Sequence, residues 1–290
     1  MDAARTADFE AHRPRLKRLA YRMLGSVAEA EDVVQDAWFR WTRAPADVAE
    51  PAAWLIRVVT RLAIDRLRAA KAQRAAYRGP WLPDPLIEPR VDDPAERAED
   101  VSVAFLLALE RLSPLERAVF LLHDVFEEDY AAVAHTLGRR EPAIRQLAVR
   151  AREHVREARP RFSVSERQAA ELAQAFMAAV AGGDVSALSA LLSEDAVMVT
   201  DGGGKRKAAL RVMVGREDVL RLLQGLQWRG GFAQVEAMRP ARINGAPGLI
   251  LDLADGPETI AFEPDASGRV AAIYAVRNPD KLGHLKEAVG

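Results

Sequence analysis

The chain has 290 residues, 49% of them apolar and 29% charged, which is enough for two or three packed domains and too apolar for a disordered segment. It has no cysteine, which excludes a disulfide framework and thiolate metal ligation and fits a reducing compartment. The N-terminal stretch MDAARTADFEAHRPRLKRLAYRMLG lacks the apolar core of a signal peptide, and no run approaches the roughly 20 apolar residues of a membrane span, so a cytoplasmic protein without membrane contact is expected.

In chain order, residues 1–76 read as a helical block. Ala28–Arg43 sets Ala30, Val34, Ala37, Trp38 and Trp41 on one apolar stripe at helical spacing, with Asp32, Gln35, Asp36 and Phe39 opposite. Trp38 and Trp41 are therefore expected in the core. Pro51 can open the next helix, and Trp54–Ala70 runs without Gly or Pro. Trp54–Arg78 holds 7 basic residues against the single acid Asp65. Residues 77–100 then break the pattern with Pro80, Pro83, Pro85, Pro89 and Pro94, and Asp84–Asp100 holds 7 acids against Arg90 and Arg97; a linker is predicted. A second helical block covers 101–160, with 8 basic residues against 3 acidic in Arg139–Arg161. Two cationic patches separated by an acidic connector fit bipartite contact with a polyanion, although two solvated helix faces would look the same.

Within that block Tyr130, Val133, Ala134 and Leu137 give one amphipathic helix, and Gly138 supplies a turn. Ile144, Leu147, Ala148, Ala151 and Val155 form the buried side of a second helix, which shows Arg145, Gln146, Val149, Arg150 and Arg152 on its other side. This is the pattern of a helix-turn-helix whose Arg and Gln can read guanine and adenine edges while flanking arginines hold phosphates. A purely structural αα-hairpin is the competing reading. Arg140-Glu141-Pro142 supplies no preferred N-cap for the second helix.

From Glu166 the pattern changes to one or two helices followed by short glycine-punctuated apolar runs, Ala196–Thr200, Leu249–Leu253 and Val270–Val276, which predict the strands of an α+β domain over 166–282 and leave a tail, 283–290. Asp201-Gly202-Gly203-Gly204-Lys205 lacks the strand–loop–helix context of a phosphate cradle and reads as a tight turn with Lys205, Arg206 and Lys207 exposed. Asp201, Asp252 and Asp255 are available carboxylates, but His284 is the domain's one histidine, so no acid–base pair for catalysis emerges.

Three segments in order resemble the extracytoplasmic-function sigma factors over about residues 8–160. Ala30-Glu31-Asp32-Val33-Val34-Gln35-Asp36-Ala37-Trp38 is similar to the domain-two segment that binds the polymerase clamp. Trp54-Leu55 through Ile64-Asp65-Arg66-Leu67-Arg68 is similar to the segment that reads and melts the minus-ten element. Leu112-Ser113-Pro114-Leu115-Glu116-Arg117, Phe120-Leu121-Leu122 and the helix-turn-helix resemble domain four. Trp81-Leu82-Pro83-Asp84-Pro85, Asp201–Lys205 and Asn278-Pro279-Asp280-Lys281-Leu282 further resemble the signatures of the subgroup with a fused SnoaL-like cone domain, in which Glu is common where this chain has Asp84.

The resemblance implies all-α sigma domains two and four followed by an α+β SnoaL-like domain, and a non-enzymatic initiation factor binding core RNA polymerase, at clamp and flap, and promoter DNA. Asp32, Gln35, Asp36 and Phe39 would face the polymerase. Arg57, Arg61 and Arg68, with Trp54 beside them as packing residue or base platform, would meet the minus-ten element. Arg139, Arg145, Gln146, Arg150 and Arg152 would meet the minus-35 element. No cofactor or metal is implied, although the cone leaves room for a small ligand. The three subgroup motifs are expected to lie together, so that the C-terminal domain contacts linker and sigma domains and controls them. A polymerase-independent, ligand-responsive regulator and a SnoaL-like cyclase or isomerase with a DNA-binding appendage are the alternatives.

Overall fold

The computed structural model describes residues 3–45, 48–88, 102–156, 166–230 and 235–286; the second half of the expected acidic linker, the 160–165 connector and the last residues of the tail lie outside them. The chain divides into two compact units, Met1–Ala76 with Phe105–Arg159 and Tyr77–Ala104 with Pro160–Gly290. The first half of the expected linker thus belongs to the C-terminal unit, and the two expected sigma domains form one unit together.

The first unit is helical. Helix α1 (Ala3–Leu24), α2 (Val27–Thr42) and α3 (Pro51–Ala75) pack around Phe9, Leu16, Leu19, Trp41, Leu55 and Val59, all essentially buried. Ser26 caps α2 by accepting from the Glu29 N–H at 3.4 Å. The rest is α4 (Val103–Glu110), α5 (Pro114–Phe120), a π-helical turn at Leu121–Val125, α6 (Tyr130–Leu137) and α7 (Glu141–Arg156). Ser113-Pro114-Leu115-Glu116 starts α5 with a capping box: Ser113 accepts from the Glu116 N–H at 3.3 Å, and Glu116 accepts from the Ser113 N–H at 2.9 Å. Asp129 caps α6, and Gly138 ends it in the left-handed region at φ 62°.

The second unit is α+β. Helices α8 (Glu166–Gly182), α9 (Val185–Leu191) and α10 (Arg216–Trp228) pack with a mixed sheet of order β1-β4-β5-β6-β7-β2-β3. Its strands are β1 (Ile87–Glu88), β2 (Leu192–Asp201), β3 (Met213–Val214), β4 (Val235–Ile243), β5 (Ala246–Leu253), β6 (Glu258–Pro264) and β7 (Val270–Val276). Among the described residues β2 and β7 pair in parallel, and the other strand pairs are antiparallel. Leu172, Phe176, Met198, Val219, Leu249, Leu251, Phe262 and Ile273 fill the space between helices and sheet, with the rings of Phe176 and Phe262 4.6 Å apart. The expected strands are present as β2, β5 and β7. Strand β1 comes from the linker and pairs Ile87 with Ile243 at the sheet edge.

Candidate nucleic-acid interface and linker clasp

The buried side of α7 is made by Ile144, Ala148, Ala151 and Val155, which leaves Arg145, Gln146, Val149 and Arg150 lining an open depression on its outer face. Positions i, i+1, i+4 and i+5 share a helix face, so the spacing alone groups them. Arg145 lies over the Tyr130 ring at 4.3 Å and pairs with Glu141 at 2.5 Å. Arg152 is drawn aside to Asp124 at 2.6 Å and to the Tyr130 hydroxyl at 3.2 Å. The side chains of Gln146 and Arg150 are exposed and form no hydrogen bond with another described side chain; Arg139 is exposed at the turn.

Helix α3 carries the other basic face. Arg57 reaches the His135 imidazole on α6, Arg61 is exposed beside Gly138, and Arg68 pairs with Asp65 at 3.4 Å. Trp54 is half-buried against Trp41, with ring centres 5.4 Å apart, which is a packing position. Trp41 is buried as expected, and Trp38 is half-buried against Phe9 at 4.9 Å. On α2, Gln35 and Phe39 are exposed, while Asp32 and Asp36 share Arg66 at 3.2 and 3.1 Å.

Several ionic contacts that sequence reasoning missed join the two helical segments. Glu110 accepts from Arg74 and, at 2.7 Å, from the buried Arg117, which also donates to the Met23 carbonyl at 2.7 Å. Burial pulls the Arg117 guanidinium down to about 9, still cationic at neutral pH. Arg15 pairs with Glu128 at 2.8 Å.

In the C-terminal unit the three short motifs meet at one carboxylate. Asp201, at the end of β2, is fully buried. Its Oδ1 accepts from the Tyr77 hydroxyl and from the Gly203 N–H at 3.0 Å. Its Oδ2 accepts from the Leu82 N–H at 2.9 Å and from Lys281 Nζ at 2.8 Å. Lys281 also donates to the Leu82 carbonyl, and its ammonium sits 4.1 Å from the Trp81 ring centre and 5.2 Å from that of Tyr77. Asn278 Nδ2 donates to the Tyr77 oxygen at 2.9 Å, while its Oδ1 accepts from the Asp280 N–H at 3.1 Å. Burial, then Asp201, hold the Tyr77 hydroxyl well above its ordinary value, so it stays a donor.

The glycines serve close approach. Gly203 and Gly204 are left-handed at φ 63° and 71°. A Cβ on Gly203 would lie 2.3 Å from Asn278 Nδ2, and one on Gly202 would lie 2.2 Å from the Arg206 carbonyl oxygen. Leu82, Pro83, Asp84 and Pro85 are buried, as is Leu282 behind Pro279. Further along the linker, Leu86 and Asn244 exchange hydrogen bonds at 2.9 and 3.1 Å, and His284 meets the Pro85 carbonyl at 2.8 Å.

Lys205 is exposed and paired with Asp280 at 2.7 Å, and Lys207 is exposed. Arg206 departs from expectation. Its side chain is only 8% exposed, held by Asp255 and by the Gly256 and Pro257 carbonyls, because a loop folded back by three glycines turns this residue inward. Tyr77, Asn244 and Arg206 lie outside the motifs; only Tyr77, aromatic and four residues before Trp81, carried a signal that sequence reading could have used.

Family models for Sigma-70 region 2 and Sigma-70, region 4 match residues 9–73 and 102–155, the spans that hold the basic helix α3 and the helix-turn-helix of a promoter-specificity factor. The chain belongs to the extracytoplasmic-function RNA polymerase sigma factors, in the subgroup with a fused C-terminal SnoaL-like domain. It is 40% identical over 289 residues to the ECF RNA polymerase sigma factor SigJ of Mycobacterium tuberculosis, covering 95% of this chain and 92% of that one. A probable ECF RNA polymerase sigma factor of the same species, SigI, is 38% identical over 291 residues, covering 98% and 97%. The crystal structure of SigJ superposes with a TM-score of 0.77 at 36% identity, covering 96% of this chain and 98% of that one. Kinship over nearly the whole length favours neither of the two alternatives. The protein is a transcription initiation factor.

Proposed function

We propose that the factor works in the cytoplasm on core RNA polymerase, with its own C-terminal domain acting as regulator rather than catalyst. The observation that carries this reading is the Asp201 clasp, which builds residues 77–88 of the connector between the sigma regions into the C-terminal domain. Asp201 spends its four short contacts on Tyr77, Leu82, Gly203 and Lys281, which leaves it no acid–base work.

In this reading α2 engages the polymerase clamp through Asp32, Gln35, Asp36 and Phe39, and Arg66 must release the two acids first. Arg57, Arg61 and Arg68 follow the opened minus-ten strand, whose captured bases return part of the unstacking energy. Arg139, Arg145, Gln146 and Arg150 meet the minus-35 element, with region 4 resting on the flap. The two regions packed on each other are a resting form, because Arg57 is occupied by His135 and Glu110 ties α4 to α3 and α5. Taking 77–88 out of the connector shortens its reach and favours that form.

Deleting 283–290, and then 278–290, tests the reading. Run-off transcription with core polymerase is expected to change in two steps: modestly when His284 leaves Pro85, and strongly, upward, when Lys281 leaves Asp201. Unchanged transcription from both truncations would contradict it.

A further inference from the structure

We propose that Val149 reads the C5-methyl group of one thymine in the upstream promoter element. The proposal rests on α7 being the minus-35 reader and assigns to it a further specificity-determining contact.

Val149 is 52% exposed, while every other β-branched aliphatic residue of α7, Ile144 and Val155, is buried. A β-branched residue is a poorer helix former than alanine, and one facing water gains nothing from packing. A lone exposed valine would need no explanation. This one sits in the depression framed by Arg145, Gln146 and Arg150, the side chains with the donors and acceptors for base edges.

Neighbouring contacts fix which side chains are available. Arg145 is tied to Glu141 and Tyr130 and must release them to read a base, and Arg152 is tied to Asp124 and Tyr130, so Gln146 and Arg150 are the outer-face polar side chains with no side-chain hydrogen bond to break first. Valine has one stiff rotameric torsion and no polar atom. In the major groove the apolar feature it can meet is the thymine methyl, which no other standard base carries. Gln146 suits an adenine edge and Arg150 a guanine edge. At about 1.5 Å per residue, Val149 lies about 4.5 Å along the helix from Gln146, roughly one base-pair step. The thymine is therefore placed within a step or so of the adenine that Gln146 reads.

The test uses holoenzyme assembled from the full chain and core polymerase. Duplex promoters randomised over the upstream element are selected and sequenced, and each thymine of the enriched element is then replaced by uracil, which removes only the methyl. Wild type is expected to lose about threefold to fourfold in binding at one thymine, the worth of one buried methyl-sized group. Val149→Ala should show no uracil effect there, and Val149→Thr, which keeps one methyl, should retain part of it. Arg150→Ala should relax a different position. An element with no uracil-sensitive thymine, or equal sensitivity in wild type and Val149→Ala, overturns the inference alone. Failure to enrich any element would overturn the DNA-reading role of α7 and the inference with it.

Discussion

Asp201 and Lys281 form a buried ion pair whose remaining hydrogen-bonding capacity is met by Tyr77, Leu82 and Gly203. Breaking such a pair from one side strands a charge and costs about 3–5 kcal/mol, whereas removing both partners costs much less. Asp201→Asn and Lys281→Met are therefore each expected to destabilise the C-terminal domain strongly. The double variant should fall well short of the sum of the two, a coupling that denaturant unfolding of all four proteins measures. Glu263 presents the opposite case. Burial raises its carboxyl above the ordinary 4.5, the Tyr274 hydroxyl at 2.9 Å offsets this only in part, and its Oε1 has no hydrogen-bond partner among the described residues. The folded state then holds the proton more tightly than the unfolded chain, so stability falls as pH rises from 4.5 through the raised folded value. Glu263→Gln should raise the Tm at neutral pH and leave it nearly unchanged below the ordinary carboxylate range. A Tm gain that does not depend on pH would contradict this.

At the scale of elements, the glycine turns separate conformation from contact. Gly138 and Gly203 are both left-handed, but a Cβ at Gly138 would find its nearest neighbour, the Arg61 guanidinium, at 4.0 Å, whereas one at Gly203 would strike Asn278. Gly138→Ala is expected to cost only the backbone term, about 1–2 kcal/mol, in the helical unit. Gly203→Ala should cost more and loosen the clasp, since Asn278 must leave Tyr77; calorimetric melting of each variant would show it. The helices were legible because their signals are local: Ser113 and Glu116 three apart, Pro51 at a first turn, Gly138 between two amphipathic runs. Strands β2, β5 and β7 were legible as apolar runs, and the three motifs carried the residues that meet at Asp201. Strand β4 was not legible, because VEAMRPARI is charged and carries Pro240. The described part of β1 pairs with Ile243 and Arg242, and Pro240 itself lies opposite Leu249 of β5. The Arg206–Asp255 pair and the Glu110 bridge join residues far apart in sequence, and no local pattern announces such pairings.

For the whole molecule, what matters is that the connector between the two sigma regions is also part of the C-terminal domain's fold. Trp81 stacks on an ammonium, Leu82 is fully buried, and Ile87 joins a sheet edge. A connector held that way cannot extend without giving up the Asp201 contacts, so under the proposed function polymerase binding and clasp integrity are expected to compete. Amide hydrogen exchange over residues 77–88 tests that competition most directly. In the free protein the Leu82 and Leu86 amides are expected to exchange as slowly as those of β5, and to exchange fast in Asp201→Asn and in the wild-type complex with core polymerase. Fast exchange of 77–88 in the free wild-type protein, or protection unaltered by both the substitution and the polymerase, would contradict the clasp as the point of control.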